Sequence, residues 1–181
     1  AGDEDNCMQT VVSQHGMRKV KAVVAGGSER QDSVKKALSA VAEDCGIVLV
    51  HDGARPFVTQ RLIHDVIAAA DRREAAVPCV SVKDTIKIAD EEGFCATTPD
   101  RKRVWAVQTP QSFSYPLVLA AYEKLLEQEN KLLQAGVSIT DDAMVVERMT
   151  SQKVKLVEGS YRNIKLTTPE DMIVCESYLR E

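Results

Sequence analysis

The sequence predicts an α/β fold, a layered sheet in which strands and helices alternate. Two observations carry this. Short apolar runs such as "GIVLV" and "AAVPCV" alternate with stretches whose apolar residues recur at helical spacing. Their order through the first half is strand–helix–strand–helix–strand, which implies parallel strands joined by right-handed crossovers. The length, 181 residues, suits one domain. A chain of that size buries roughly 70% of its unfolded surface.

The elements follow in order. Residues 3–15 read as a short helix ending near Gly16, and "KVKAVVAG" (19–26) as a strand. "DSVKKALSAVAED" places Val34, Leu38, Val41 and Ala42 on one helical face, with Asp32 as the expected cap. "GIVLVHD" reads as a buried strand in the middle of the sheet. Thr59 caps a helix whose Leu62, Ile63, Val66, Ile67 and Ala70 share a face, and "AAVPCVSV" is the next strand. The rhythm then breaks. "TIKIA" and "FCATT" around "DEEG" read as a β-hairpin on an excursion, residues 83–104, which packs on a partner. Pro116 suits the first turn of a helix running to about Glu129, and Thr140 starts another. "VKLVEG" and "NIKL" are short strands. Thr168, Pro169 and Asp171 open a closing helix with a capping box.

Composition excludes several classes. Apolar residues make up 44% and charged residues 28%, the ordinary soluble range. The 23 basic and 27 acidic residues give a net charge of −4, against a nucleic-acid-binding face. A phosphorylated substrate stays open, since local cations can sit in an acidic protein. No apolar run approaches the roughly 20 residues of a membrane span, and the acidic start "AGDEDNCMQT" is no signal peptide. The five Cys (7, 45, 79, 95 and 175) show no CxxC spacing, and the three His (15, 51 and 64) make no HxxxH pair. A disulfide framework or zinc site is not expected, and a reducing cytoplasm fits.

The motifs leave alternatives open. Gly26-Gly27, between a strand and a helix, form either a tight turn or a cradle of backbone N–H groups. In "HDGARP", Asp52 stands at the carboxyl end of a strand, where open α/β sheets bind ligands. It either holds Mg²⁺ beside phosphate oxygens or pairs with Arg55 to fix a turn. Gly53 would let a ligand approach the backbone. His51 reads as a packing residue. Arg101, Lys102 and Arg103 are a solvated cluster or a phosphate clamp. Thr109 and Thr140 are turn and cap residues or hydroxyl ligands. Lys165, in an apolar stretch, is an edge guard or points into an anionic pocket. Together these supply a carboxylate, cations and hydroxyls with no evident general base. That set suits phosphoryl or nucleotidyl transfer, where positioning and charge neutralisation do most of the catalysis.

In order, "GGSERQDSV", "VLVHDGARPF", "VSVKDTIK", "WAVQTPQSF", "TDDAMVVE" and "VEGSYRNIKLTTPEDM" resemble the 2-C-methyl-D-erythritol 4-phosphate cytidylyltransferases over about residues 19–180. The resemblance implies transfer of CMP from CTP to 2-C-methyl-D-erythritol 4-phosphate, with release of pyrophosphate, in non-mevalonate isoprenoid synthesis. It implies a Rossmann-like nucleotidyltransferase sheet, mostly parallel with helices on both faces, and a protruding β-arm. It also implies a homodimer through that arm, and a divalent cation, Mg²⁺. Carried over by motif, Gly27, Ser28, Ser33 and Gly53 would bind the nucleotide and Asp52 the metal. Arg55, Thr85, Arg101, Thr109, Thr140, Lys165 and Thr167 would line the substrate side, with Thr85 and Arg101 serving the neighbouring subunit. Lys165, Asp52 and Arg101 would be catalytic. The neighbouring alternative is a ribitol-5-phosphate cytidylyltransferase.

The sequence departs from that family in one place. The family's first strand and its Gly-rich loop with Arg and Lys have no counterpart before Lys19. The expectation is a single domain over 1–181 without the first strand–loop–helix elements, with no measurable pyrophosphate release on its own. A non-catalytic remnant that dimerises is the reading from another class.

Overall fold

A computed structural model describes residues 2–180, with the side chains of all but 130 and 133. The chain falls into two compact units, Ala1–Gly46 with Tyr115–Ser138, and Ile47–Ser114 with Ile139–Glu181.

The first unit is helical. α1 (Glu4–Cys7) runs into a π-helical stretch, Met8–Ser13, as the helix expected there. The predicted strand 19–26 is not formed. It has no ladder partner among the described residues, and Val20 and Val24 stay exposed, because an apolar alternation becomes a strand only where an edge receives it. α2 (Arg30–Ser39) starts earlier than predicted. Its cap is Glu29, and Asp32 is the third helical residue, reaching back to the Glu29 N–H at 3.2 Å. α4 (Tyr115–Gln134) packs against α2. Tyr115, Val118, Tyr122 and Leu125 recur at helical spacing and are buried, and the Tyr115 hydroxyl donates to the Leu38 carbonyl at 3.0 Å.

The second unit holds the sheet. Its elements are β1 (Ile47–Val50), α3 (Gln60–Arg73), β2 (Ala75–Ser81), β3 (Ile88–Ala89), β4 (Cys95–Thr97), β5 (Trp105–Val107), β6 (Gln111–Ser114), α5 (Asp142–Met149), β7 (Lys155–Glu158) and α6 (Pro169–Leu179). The order is β1-β6-β2-β5, with β7 on the other edge of β2. β1, β2 and β7 run in one direction, as the crossovers require. The correction is that β6 inserts between β1 and β2, antiparallel to both. Among the described residues β1 is therefore an edge strand, half-buried, and not the central one expected.

β2 is the central strand. Its first five residues are all buried, the pattern of a strand covered on both faces. Ala76 meets Ala69 and Ala70 of α3. Ala75, Val77 and Cys79 alternate to the opposite face and are buried too, and α5 also contacts β2.

One irregularity shapes the site. β5 and β6 pair with the same edge of β2, but the register slips by two residues between them. Gln108, Thr109 and Pro110 bow out of the ladder there, a bulge. Opposite lies Pro78, whose carbonyl accepts from the Gln108 N–H at 2.8 Å. A residue's N–H and C=O point to the same strand edge, so the donor that Pro78 lacks would also have faced the bulge.

The predicted hairpin forms, though short. β3 pairs with β4, and Asp90 accepts from the N–H groups of Glu92 and Phe94 across the turn, with Gly93 at φ +87°. Two further expectations are corrected. Thr140 is not the cap of α5; Asp141 is, accepting from the Met144 N–H at 2.8 Å. "NIKL" is no strand, because one bond, Leu166 N–H to Ala54 O at 2.8 Å, does not make a ladder.

Candidate active site

The carboxyl end of β1 turns sharply, with the Arg55 N–H donating to the Asp52 carbonyl at 3.0 Å. The turn brings the Arg55 guanidinium back to the Asp52 carboxylate, Nε to Oδ2 at 3.2 Å. Lys165, from the extended segment before α6, approaches the same oxygen at 3.3 Å. The exposure of the side chains rises outward: Arg55 12%, Asp52 25% and Lys165 46%. Burial acts to raise the Asp52 pKa. The hydrogen bond from Arg55 and the charge of Lys165 outweigh it, so the carboxyl lies below its usual range. Both cations bond Oδ2. Oδ1 accepts no hydrogen bond among the described residues.

The bulge supplies the other wall. The Asp52 N–H donates to Thr109 Oγ1 at 3.0 Å, and His51 Nδ1 lies 2.9 Å from the same hydroxyl. His51 Nε2 sits 3.2 Å from the Arg55 carbonyl, which only accepts, so Nε2 carries the proton. In the neutral ring Nδ1 then receives the Thr109 O–H. His51, read from sequence as packing, is exposed and aims this hydroxyl.

Beneath lies a buried polar layer that sequence reasoning missed. Asn163 is fully buried; its Nδ2 donates to the Thr109 carbonyl at 2.9 Å, and its own carbonyl accepts from Arg55 Nη1 at 2.8 Å. Gln108 Nε2 donates to the carbonyls of Ser160 (2.8 Å) and Asn163 (3.2 Å), while its Oε1 accepts from the Ser160 N–H. A Cβ on Gly159 would stand 2.5 Å from Gln108 Oε1 and 3.1 Å from the Cys79 carbonyl, so a larger residue would push the Gln108 carboxamide out of its bonds.

The remaining predicted residues divide. Gly53 borders this turn, and a Cβ there would meet open space. Thr167 donates through N–H and hydroxyl to Asp171, inside the α6 cap. The Thr140 hydroxyl contacts Met144 Sδ, one residue before the α5 cap. Thr85 is exposed on the arm, where Arg101 Nη1 donates to the Lys83 carbonyl at 2.7 Å. At the base of the arm the Tyr161 hydroxyl donates to the Ser81 carbonyl (2.6 Å) and the Lys83 ammonium lies 4.2 Å from the Tyr161 ring centre. A cavity of about 780 Å³ beside this base is lined by Ser81, Trp105, Leu156 and Tyr161 and contains none of the predicted site residues.

In the helical unit, Gly27, Ser28 and Ser33 come together at the start of α2. The Gly27 N–H donates to Ser33 Oγ (2.9 Å) and Ser28 Oγ to Asp32 (2.7 Å). A Cβ on Gly27 would collide with the Asp32 Cβ, so glycine lets the loop close onto the helix. The Ser28 hydrogen bond, followed by that of the Glu29 N–H, holds the Asp32 pKa below its usual value.

The family model 2-C-methyl-D-erythritol 4-phosphate cytidylyltransferase matches residues 1–181. The chain belongs to this cytidylyltransferase family. The relative from Caldanaerobacter subterraneus subsp. tengcongensis is 48% identical over 179 residues, covering 99% of this chain and 75% of its own. That from Alkaliphilus oremlandii is 44% identical over 180 residues, 99% and 73% respectively. Both carry the family's name. Among solved structures, 4-diphosphocytidyl-2C-methyl-D-erythritol synthase from Anaerococcus prevotii superposes with a TM-score of 0.81 at 33% identity, over 99% of this chain and 78% of that one. The Thermus thermophilus cytidylyltransferase gives 0.73 at 35%, over 91% and 76%. The α/β, Rossmann-like reading of the cytidylyltransferase fold stands with these structures.

Proposed function

We propose that this protein transfers CMP from CTP to 2-C-methyl-D-erythritol 4-phosphate, releasing pyrophosphate, and that the turn around Asp52 is where it does so. The observation that carries the reading is one carboxylate flanked by two cations, Arg55 and Lys165, while the nearby His51 ring is engaged by the Thr109 hydroxyl and the Arg55 carbonyl. The reaction needs that set. The nucleophile is a phosphate oxygen of the substrate, already ionised near neutral pH. It forms a bond to the α-phosphorus of CTP as the bond to the β-phosphate oxygen breaks, and pyrophosphate leaves with that electron pair. The obstacle is repulsion between two anions. Lys165 and Arg55 offset the charge that builds on the α-phosphate, and Arg101 that on the substrate phosphate. Thr109, Thr140, Thr167 and Thr85 offer hydroxyls to the polyol and its phosphate. Gly27, Ser28 and Ser33 bind the cytidine, and Gly53 lets the nucleotide pass close to the backbone.

The donor set fits a divalent cation that arrives with the triphosphate. Both cations make their closest approach to Asp52 Oδ2, and no group of three His, Cys, Asp or Glu that could hold a metal exists among the described residues. Asp52 would supply one ligand and phosphate oxygens others, the pattern Mg²⁺ favours. When bound, the ion would neutralise triphosphate charge.

The domain acts as a homodimer through arm 83–104. Supporting this, Ile88, Phe94 and Trp105 are exposed on and beside the arm, Phe94 at 68%. We place the protein in the cytoplasm, where thiols such as Cys7, Cys79 and Cys95 stay reduced. No helix among the described residues is long and apolar enough to cross a membrane.

The test is pyrophosphate release by the natural full-length protein from CTP with 2-C-methyl-D-erythritol 4-phosphate or ribitol 5-phosphate in parallel. Faster turnover of ribitol 5-phosphate would replace the substrate assignment.

A further inference from the structure

We propose that Asn163 and Gln108 are positioning residues: two buried carboxamides that lock the bulge 108–110 to the turn 159–163 and so set the separation of Asp52 and Lys165. The role rests on the reaction assigned above.

The geometry is a closed ring of four hydrogen bonds. The Asp52 N–H donates to Thr109 Oγ1, Asn163 Nδ2 to the Thr109 carbonyl, Arg55 Nη1 to the Asn163 carbonyl, and Arg55 Nε to Asp52 Oδ2, which returns to the start. Asn163 belongs to the segment that presents Lys165 two residues later. Thr109 belongs to the bulge, which is out of the ladder and has no sheet register of its own. Among the described residues, without the Asn163 side chain the two segments are joined at this point by the hydrogen bonds of Gln108 to Ser160 and to the Asn163 backbone carbonyl. Gln108 is the cross-brace, bonding Ser160 through both amide atoms and Asn163 through one. Asn163 Oδ1 has no partner among the described residues, so the Nδ2 bond to Thr109 is what the side chain contributes. Lys165 is half exposed and held by the charge of Asp52 and by the backbone bond of Leu166, so its reach follows where residue 163 is anchored.

Asn163→Ala in the natural full-length protein tests this. Misplacement of a charged group by about 1 Å costs on the order of 10²-fold in rate. We expect kcat to fall by about that factor, with KM for CTP changed less than about threefold. In a Lys165→Met background the same substitution should cost less than about threefold, because the group it positions is gone. Independently of activity, the Arg55 Nε–H should exchange with solvent about tenfold faster, while the Val77 amide keeps its protection. Gln108→Met, which keeps the volume and loses the side-chain bonds, carries the same tests if Asn163→Ala does not fold. Equal losses in both backgrounds, or unchanged Arg55 exchange, would overturn the proposal. A wild-type protein that releases no pyrophosphate would overturn the reaction assigned above instead, and the exchange measurement would still decide the brace.

Discussion

Lys165 Nζ lies 3.3 Å from Asp52 Oδ2, the oxygen that Arg55 also holds. Two cations on one carboxylate oxygen leave the site with a net positive charge for an anionic ligand. Lys165→Met keeps the stem and removes the ammonium. Turnover should fall by about 10²-fold, as loss of a charge-stabilising group does. Melting should change by no more than about 1 kcal/mol, the scale of a half-exposed ion pair. Asp52→Asn should lower turnover comparably and weaken its dependence on Mg²⁺. Steady-state kinetics beside thermal melts separate these outcomes from a merely structural ion pair.

The cap of α6 gives a pH prediction. Backbone N–H groups of Thr167 and Thr168, and the Thr167 hydroxyl, donate to Asp171 and hold its carboxyl below the ordinary value of 3.8. A depressed carboxylate adds stability that is fully present above its unfolded pKa. That stability is lost as pH falls through the folded pKa. Asp171→Asn should therefore melt lower than wild type at neutral pH. The gap should narrow only below about pH 4. Melting curves across an acid series check this; a gap that is constant to pH 2 would remove the charge from the account.

Gly159 is pinned between Gln108 Oε1 and the Cys79 backbone, to which its N–H donates at 2.8 Å. Gly159→Ala should destabilise by about 1–3 kcal/mol, the cost of overpacking against the Cys79 backbone and displacing the buried Gln108 carboxamide. The denaturant midpoint should drop with the slope unchanged.

What was legible in the sequence was local chemistry. Thr59 accepts from the Leu62 N–H and caps α3, and Thr168 with Asp171 opens α6, because a cap needs only its own next three residues. Asp52 and Arg55 were legible for the same reason, being three apart in one turn. Lys165 was found by composition, but its partner was not. Asn163 and Gln108 escaped because their meaning depends on a register slip between two strands, which no local pattern encodes. The available signal was Pro78, a residue without a donor inside a strand-like run, which needed a bulge opposite. The unformed strand at 19–26 failed in the reverse way: its pattern is local, but a strand requires an edge to pair with.

The arm makes the most demanding claim. Its two strands are short and its apolar Ile88 and Phe94 are exposed, and an isolated hairpin is marginal in water. A two-fold dimer would exchange arms reciprocally. Arg101 would then complete the partner's site while Asp52 serves its own. Within its own arm Arg101 already donates to the Lys83 carbonyl, so the competing account is that it only braces the arm. Mixing decides between them. In the natural full-length protein, Asp52→Ala and Arg101→Ala homodimers should each be nearly inactive. After joint unfolding and refolding, half of the dimers at random pairing are mixed. In each mixed dimer the subunit with intact Asp52 receives an intact Arg101. One of its two sites works, so roughly a quarter of wild-type activity should return for a two-fold dimer. If mixed dimers form, as read by mass, and the activity stays at the parental level, Arg101 belongs to its own arm and the shared site is wrong.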